Sequence, residues 1–230
     1  MKLLILQHVP HEHPGYIADY ANEKGITIDL IKLWQPYSIP ASEDYSGIII
    51  MGGPMGVYED FPSKSEEIAL IQQVIGQISI LGICLGSQLL AHVLGAKVYP
   101  NPRGKEIGYY DLKLTEVGKK SSALVGFPSD IQALEWHGDA FELPAGAELL
   151  VSSAQCENQA FSFKNAHGFL FHFEFTPEMV RKQIAIDHEW THKDFDLDEA
   201  KLIREADELA SLMKEQSYRL LNNFLAGDLK

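Results

Sequence analysis

Cysteine is scarce in this chain. Cys84 and Cys156 are its only two in 230 residues, too few for a disulfide framework, and a reducing cytoplasm is the expected location. Positive charge is also in short supply: 19 Lys and Arg stand against 32 Asp and Glu, a net charge of −13. Neutralising backbone phosphates needs clustered Lys and Arg, so no nucleic-acid partner is expected. Long apolar runs are missing as well. None approaches the roughly 18–20 residues of a membrane span, and no membrane association is expected. The start, "MKLLILQHVP", has an apolar core of only LLIL before Gln7 and His8, short for a signal peptide and suited to a first strand. What is present is the composition of a globular protein, 46% apolar and 22% charged. The length fits one large domain, or one domain with a small extension.

Short apolar runs alternate with amphipathic ones, the pattern of βα units. "KLLILQH" (2–8) reads as a strand and "YIADYANEKG" as a helix that Gly25 ends. The strands "ITIDLIKL" (26–33) and "GIIIMGG" (47–53) follow. Ser63 and Glu66 carry the S-x-x-E capping signature before the helix "EEIALIQQVIG". The strand "SILGIC" (79–84) runs straight into the helix "SQLLAHVLG" (87–95). From about 97 to 176 the runs become strands joined by Gly, Pro and Asn turns: "EIGYYDLKLTEV", "IQALEWH", "AELLVSS", "QAFSFK" and "FLFHFEF". Thr176 and Pro177 predict an N-cap and first-position proline for a helix through about Glu189. After a polar break, helical periodicity runs to the end. The expected division is a domain over 1–195 and a helical extension, 196–230, packed on it.

The strongest chemical signal is "LGICLGSQLLA" (81–91). A buried strand ends at Cys84, a helix begins at once, and Gly82 and Gly86 flank the cysteine at two residues. That is a nucleophile elbow with cysteine in the place of serine. The helix N-terminus favours thiolate and offers backbone N–H groups, Leu85's among them, to an oxyanion. A base and its orienting partner come from "FLFHFEF" (169–175): on a strand, His172 and Glu174 share one face while the four phenylalanines take the other. Cys84, His172 and Glu174 thus make a nucleophile, base and orienter.

The "GICLGSQ" elbow, the upstream "MGGPMGVYED" and the downstream His-x-Glu, in that order, resemble the class I glutamine amidotransferases, above all the glutaminase domain of GMP synthase and its free-standing relatives. The resemblance covers roughly residues 1–180. It implies an α/β fold, flavodoxin-like, with three α/β/α layers around a mixed, mainly parallel sheet. It also implies attack by Cys84 on the glutamine side-chain amide, ammonia release and hydrolysis of a γ-glutamyl thioester, with no cofactor and no metal. Under it, Gly53 joins Leu85 as an oxyanion donor, Gln88 contacts substrate, and Gly138 and Asp139 of "WHGD" hold the glutamine α-groups. Two departures stand out. Many members have H-P-E where this chain has Phe173 between His172 and Glu174. No ATP-pyrophosphatase or other synthetase domain is expected in a sequence of this length, so either ammonia would need a separate synthetase partner or the enzyme is not a synthetase subunit at all.

Three other patterns compete for a function. "HEWTH" (188–192) has the zinc-protease spacing of His188, Glu189 and His192, but it falls where its helix ends, and exposed polar residues are the expectation. Asp194, Asp196, Asp198 and Glu205 match EF-hand positions, yet Glu199 stands where glycine is required, so Asp198 is expected to cap the last helix. His8, His11 and His13 are expected in a solvated loop near the rim of the site. Two rivals to the glutaminase reading remain open: a free-standing γ-glutamyl peptidase or hydrolase, and a non-catalytic regulatory or binding subunit. The C-terminal helices are open too, as a homodimer or partner surface or as a cover over the site.

Overall fold

The computed structural model describes residues 1–226; the last residues of the expected extension, 227–230, lie outside the described part. The strands are β1 (Lys2–Gln7), β2 (Thr27–Lys32), β3 (Gly47–Ile50), β4 (Ile80–Ile83), β5 (Val98–Pro100), β6 (Glu106–Leu114), β7 (Asp130–His137), β8 (Asp139–Phe141), β9 (Glu148–Ser152), β10 (Ala160–Phe163) and β11 (Ala166–Phe169). The helices are α1 (Tyr16–Lys24), α2 (Lys64–Val74), α3 (Leu85–Val93), α4 (Pro177–Ile186), α5 (His188–His192) and α6 (Glu199–Ala226).

One nine-stranded sheet runs in the order β2-β1-β3-β4-β11-β10-β9-β6-β7. The first five strands pair in parallel and the rest antiparallel. A separate ladder joins β5 to β8. The parallel strands are apolar on both faces because both are covered. In β1, Leu3 and Ile5 point into one core with α1 and α6, whereas Leu4 and Leu6 point into another with α2 and α3. That alternation makes the three α/β/α layers expected from the sequence. Helix α6 belongs to the first core through Met213, Leu220, Leu221, Phe224 and Leu225. Among the described residues no helix is long and apolar enough to cross a membrane.

Several local expectations hold for the stated reason. Gly25 adopts the left-handed conformation that ends α1. Thr176 caps α4, its hydroxyl accepting from the Met179 N–H, with Pro177 in the first turn. Asp198 accepts from the Lys201 N–H at 2.8 Å at the start of α6.

Three expectations are corrected. The strand over 169–175 stops at Phe169; beyond it the chain leaves the sheet, bridging β7 only where His172 pairs with Leu134. The Leu170 N–H still reaches the Gln159 carbonyl, and at the far end of the segment the Glu174 carbonyl accepts from the Tyr16 N–H of α1 at 2.9 Å. The Ser63 hydroxyl makes no capping bond, because Ser63 is itself in helical conformation and its carbonyl takes the Glu66 and Glu67 N–H groups. The helix from Pro177 breaks at Asp187 before the short α5.

Thr176→Ala removes one N-cap acceptor directly after the segment carrying His172 and Glu174. It should lower the unfolding free energy by about 1 kcal/mol, seen as a lower urea midpoint at an unchanged m value.

Candidate active site

The site is built on the turn between β4 and α3. Cys84 has φ 49° and ψ −109°, a backbone conformation that side-chain-bearing residues rarely adopt. Its N–H donates to the Phe169 carbonyl at 2.8 Å, and its carbonyl accepts from Gln88 N–H and from the Ser87 hydroxyl. Close approach makes the turn possible. A Cβ at Gly86 would collide with the Ile50 carbonyl of β3, and one at Gly82 with the carbonyl of Gly86. The first N–H groups of α3, Leu85's included, have no partner within the helix.

The structure brings Cys84, His172 and Glu174 together, each at most 6% exposed. His172 Nδ1 lies 2.7 Å from Glu174 Oε1, which leaves Nε2 free of the carboxylate, and the Cys84 thiol donates to the Trp136 carbonyl at 3.9 Å. Burial opposes charge on this imidazole, but the Glu174 carboxylate and the sulfur outweigh it and hold its pKa well above the ordinary value. The His172 backbone is pinned to β7, donating to the Leu134 carbonyl at 2.8 Å. His172 Cε1 and Cys84 Cβ converge on Gly52, where a Cβ would stand 3.3 Å and 3.4 Å from them.

A cleft of about 380 Å³ opens in front of Cys84, within the range of small-molecule sites. Of the residues expected to contact substrate, Gly53, Gln88, Gly138 and Asp139 line it; Leu85 lies behind it as the first residue of α3. Asp139 accepts from the Tyr58 hydroxyl at 3.2 Å.

Two buried imidazoles hold the walls: His8, expected from the sequence in a solvated loop, and His137, which does not stand out in the sequence. His8 donates from Nδ1 to the Gly52 carbonyl at 3.0 Å, and Nε2 meets Glu67 Oε2 at 3.0 Å. Both nitrogens act as donors, the pattern of an imidazolium. Burial again opposes the charge, and the Glu67 carboxylate and the Gly52 carbonyl raise the pKa regardless. Since the 52–53 peptide is trans, fixing its carbonyl toward His8 directs the Gly53 N–H the opposite way. His137 donates from Nδ1 to the Asp139 carbonyl at 3.0 Å, while Nε2 lies 2.9 Å from Glu135 and 3.3 Å from Glu106. Against the cost of burial, these two carboxylates push it up to about 10.

The expected solvated histidine loop is therefore corrected in part. His8 is buried, His11 half-buried and His13 exposed, and the three do not converge among the described residues. Glu12, between them in sequence, is buried in the cleft wall, where burial and the neighbouring Asp187 and Glu174 raise its carboxyl to about 7 against the pull of His172 and His8. Helix α5 brings His188 and His192 to Glu199 at the surface, with His188 Nδ1 at 2.9 Å from Glu199 Oε1. Imidazole–carboxylate contact accounts for that arrangement. The acidic residues 194, 196, 198 and 205 form no ligand group among the described residues.

A cysteine elbow with a His–Glu pair thus stands at a cleft in an α/β sheet, and comparison with known proteins names the family. Residues 15–190 match the model of glutamine amidotransferase class-I. The chain belongs to that family. It is 32% identical to the glutamine amidotransferase-like protein YfeJ of Salmonella typhimurium over 188 residues, 78% of each chain. It is 40% identical to GMP synthase of Streptococcus thermophilus over 134 residues, 56% of this chain but only 24% of that protein. A crystal structure of a glutamine amidotransferase from Thermotoga maritima superposes with a TM-score of 0.91 at 31% identity, covering 98% of each chain.

His137 provides a pH test. Its folded pKa near 10 lies above the unfolded value of about 6.5. Its contribution is full below pH 6.5 and is lost as pH rises toward 10, because the native state then holds a proton that the unfolded state has released. Urea unfolding of the wild type should lose more stability between pH 6 and pH 9.5 than that of His137→Gln. Parallel losses would refute the assignment.

Proposed function

We propose that the chain hydrolyses the side-chain amide of glutamine through a γ-glutamyl thioester on Cys84. The observation carrying this reading is the Cys84–His172–Glu174 line, set on an elbow at the N-terminus of α3 and opening into the cleft. His172 takes the thiol proton, and the sulfur adds to the amide carbon. The carbonyl oxygen becomes negative toward the N–H groups of Gly53 and Leu85. His172 then gives its proton to the leaving nitrogen, the C–N bond breaks and ammonia departs. Water adds to the thioester, returning a proton through His172, and the C–S bond breaks to release glutamate and the free thiol. Glu174 holds Nδ1 and balances the imidazolium throughout. Gln88, Gly138 and Asp139 bind the glutamyl end. The His8–Glu67 pair is a positioning device: by holding the Gly52 carbonyl it aims the Gly53 N–H.

In this reading the protein works in the cytoplasm. Its ammonia passes to an acceptor, or to a synthetase partner. The unit over 1–195 carries the chemistry, and 196–230 is an extension on the same domain. A second reading keeps the thioester and replaces glutamine by a γ-glutamyl peptide or conjugate. It draws support from the cleft, whose lining includes Glu12, Gln183 and Trp190 besides the residues assigned to glutamine.

Cys84→Ala should abolish release of ammonia and glutamate from glutamine while retaining the folded circular-dichroism spectrum; wild-type turnover in that variant would eliminate the mechanism. Faster turnover of γ-glutamyl dipeptides than of glutamine would select the second reading. His8→Gln should lower kcat about 10–100-fold, below the 10²–10³ of deleting an oxyanion donor outright, with KM changed little. A rise in KM alone would remove His8 from this role.

A further inference from the structure

Glu12, Glu59, Asp139 and Asp187 line the cleft together with Cys84. Asp139 is bonded to Tyr58 and feels the charges of His137 and Glu59. Glu12 feels His172, Asp187, His8 and Glu174. Glu12 is 5% exposed, faces the cleft and makes no hydrogen bond among the described residues. Beside it, Gln183 is 1% exposed; its Nε2 donates to Asp187 Oδ2 at 2.7 Å, while its Oε1 has no partner. Asp187 Oδ2 also accepts from the Trp136 indole at 2.9 Å. Glu12 is therefore a buried acceptor in the cleft wall with no donor of its own, Gln183 Oε1 is enclosed behind that wall, and no Lys or Arg stands among the cavity residues. Buried acceptors are costly unless something donates to them. A group with several N–H donors and a positive charge matches Glu12, with the Asp187 carboxylate in the same cavity.

Position identifies which part of a substrate would meet them. Glu12 Oε2 packs against the α-carbon of Gly52, the same point on which His172 Cε1 and Cys84 Cβ converge. His172 protonates the departing nitrogen, so a carboxylate beside His172 faces the leaving group, whereas Asp139 and Gln88 face the glutamyl end. We propose that Glu12 and Asp187, the latter held by Gln183, form a subsite for a cationic leaving group, making γ-glutamyl amides of diamines, whose distal amine is an ammonium, the preferred substrate class. This rests on the thioester hydrolase reading above and gives its second form a definite substrate. The reaction balances as amide plus water giving glutamate plus free diamine.

The test compares the mono-γ-glutamyl amide of butane-1,4-diamine with γ-glutamyl pentylamide, a neutral amide of the same length. Binding to Cys84→Ala protein, followed by calorimetry at pH 8, isolates recognition from turnover. The cationic amide should bind at least about tenfold more tightly, the scale of one hydrogen bond to a charged group. Adding Glu12→Gln should bring the ratio toward one, and Asp187→Asn gives the same test if the first double variant does not fold. Equal affinities, no measurable binding of the cationic amide, or a ratio indifferent to both substitutions would overturn the subsite. An equal loss for both amides on Glu12→Gln would also overturn it, assigning Glu12 to the glutamyl α-ammonium instead. Failure of the hydrolase reading looks different: wild-type protein would turn over neither amide nor glutamine, whatever the affinity ratio.

Discussion

The site depends on one unfavourable backbone conformation, that of Cys84. A residue with a side chain at φ 49° is strained and persists only where its surroundings over-determine it. Here β4 is locked between β3 and β11, and the Cys84 N–H is the continuation of the β11 ladder onto the Phe169 carbonyl. Helix α3 must then start at once, and it can only because Gly86 lets it touch β3 at Ile50. The sulfur is thereby lifted from the C-terminal edge of the parallel strands. Open α/β sheets place their ligand sites at that edge. The same turn sets the N-terminus of α3 behind the sulfur.

Around the elbow, three buried imidazoles each face a buried carboxylate. His172 meets Glu174, His8 meets Glu67, and His137 meets Glu106 and Glu135. As contributions to stability such pairs are weak, because desolvating both charges offsets most of their attraction. Their common feature is positional. His8 and His137 each use the other nitrogen on a carbonyl at the cleft, that of Gly52 and that of Asp139, and the His172 ring stands beside Cys84 at Gly52. A charged bond to one defined atom fixes a wall more sharply than apolar packing, which has no direction. The three pairs thus tie the cysteine edge and two loops of the cleft to neighbouring elements.

Much of this was legible in the sequence. The strands β1, β3 and β4 follow from apolar runs that satisfy two cores at once, and the elbow follows from glycines at fixed distance from Cys84. His172 and Glu174 stand side by side as pleating implies, although the segment is no longer a strand there. Alternation survives through Phe173 because Phe169, Phe171 and Phe173 all enter the core under α6. The polar pairs at His8 and His137 were not legible. His8 and Glu67, like His137 and Glu106, are far apart in sequence, and nothing local separates a histidine that will be buried against a distant glutamate from one left in solvent. The loop "QHVPHEHPG" shows the difficulty: adjacent histidines end up buried, half-buried and exposed. Ser63 failed for a related reason, since a capping sequence is no guide when the preceding turn is already helical.

The segment between the sheet and α4 takes much of its rigidity from Phe173. The family pattern with proline at this position stiffens the chain covalently, holding the residues on either side in fixed relation. Here the ring of Phe173 is buried, stacked on Phe127 at 5.7 Å and set edge-on to Phe171 at 5.0 Å. Packing replaces the pyrrolidine as the source of stiffness. The remaining restraints come from outside the segment: His172 is bonded to β7 in both directions, and the Glu174 carbonyl is held by the Tyr16 N–H of α1. The second bond requires the chain to pass directly over Gly15, where any Cβ would meet that carbonyl. Three independent anchors therefore fix this short stretch of backbone, and the departure from proline leaves the alignment of His172 with Glu174 intact.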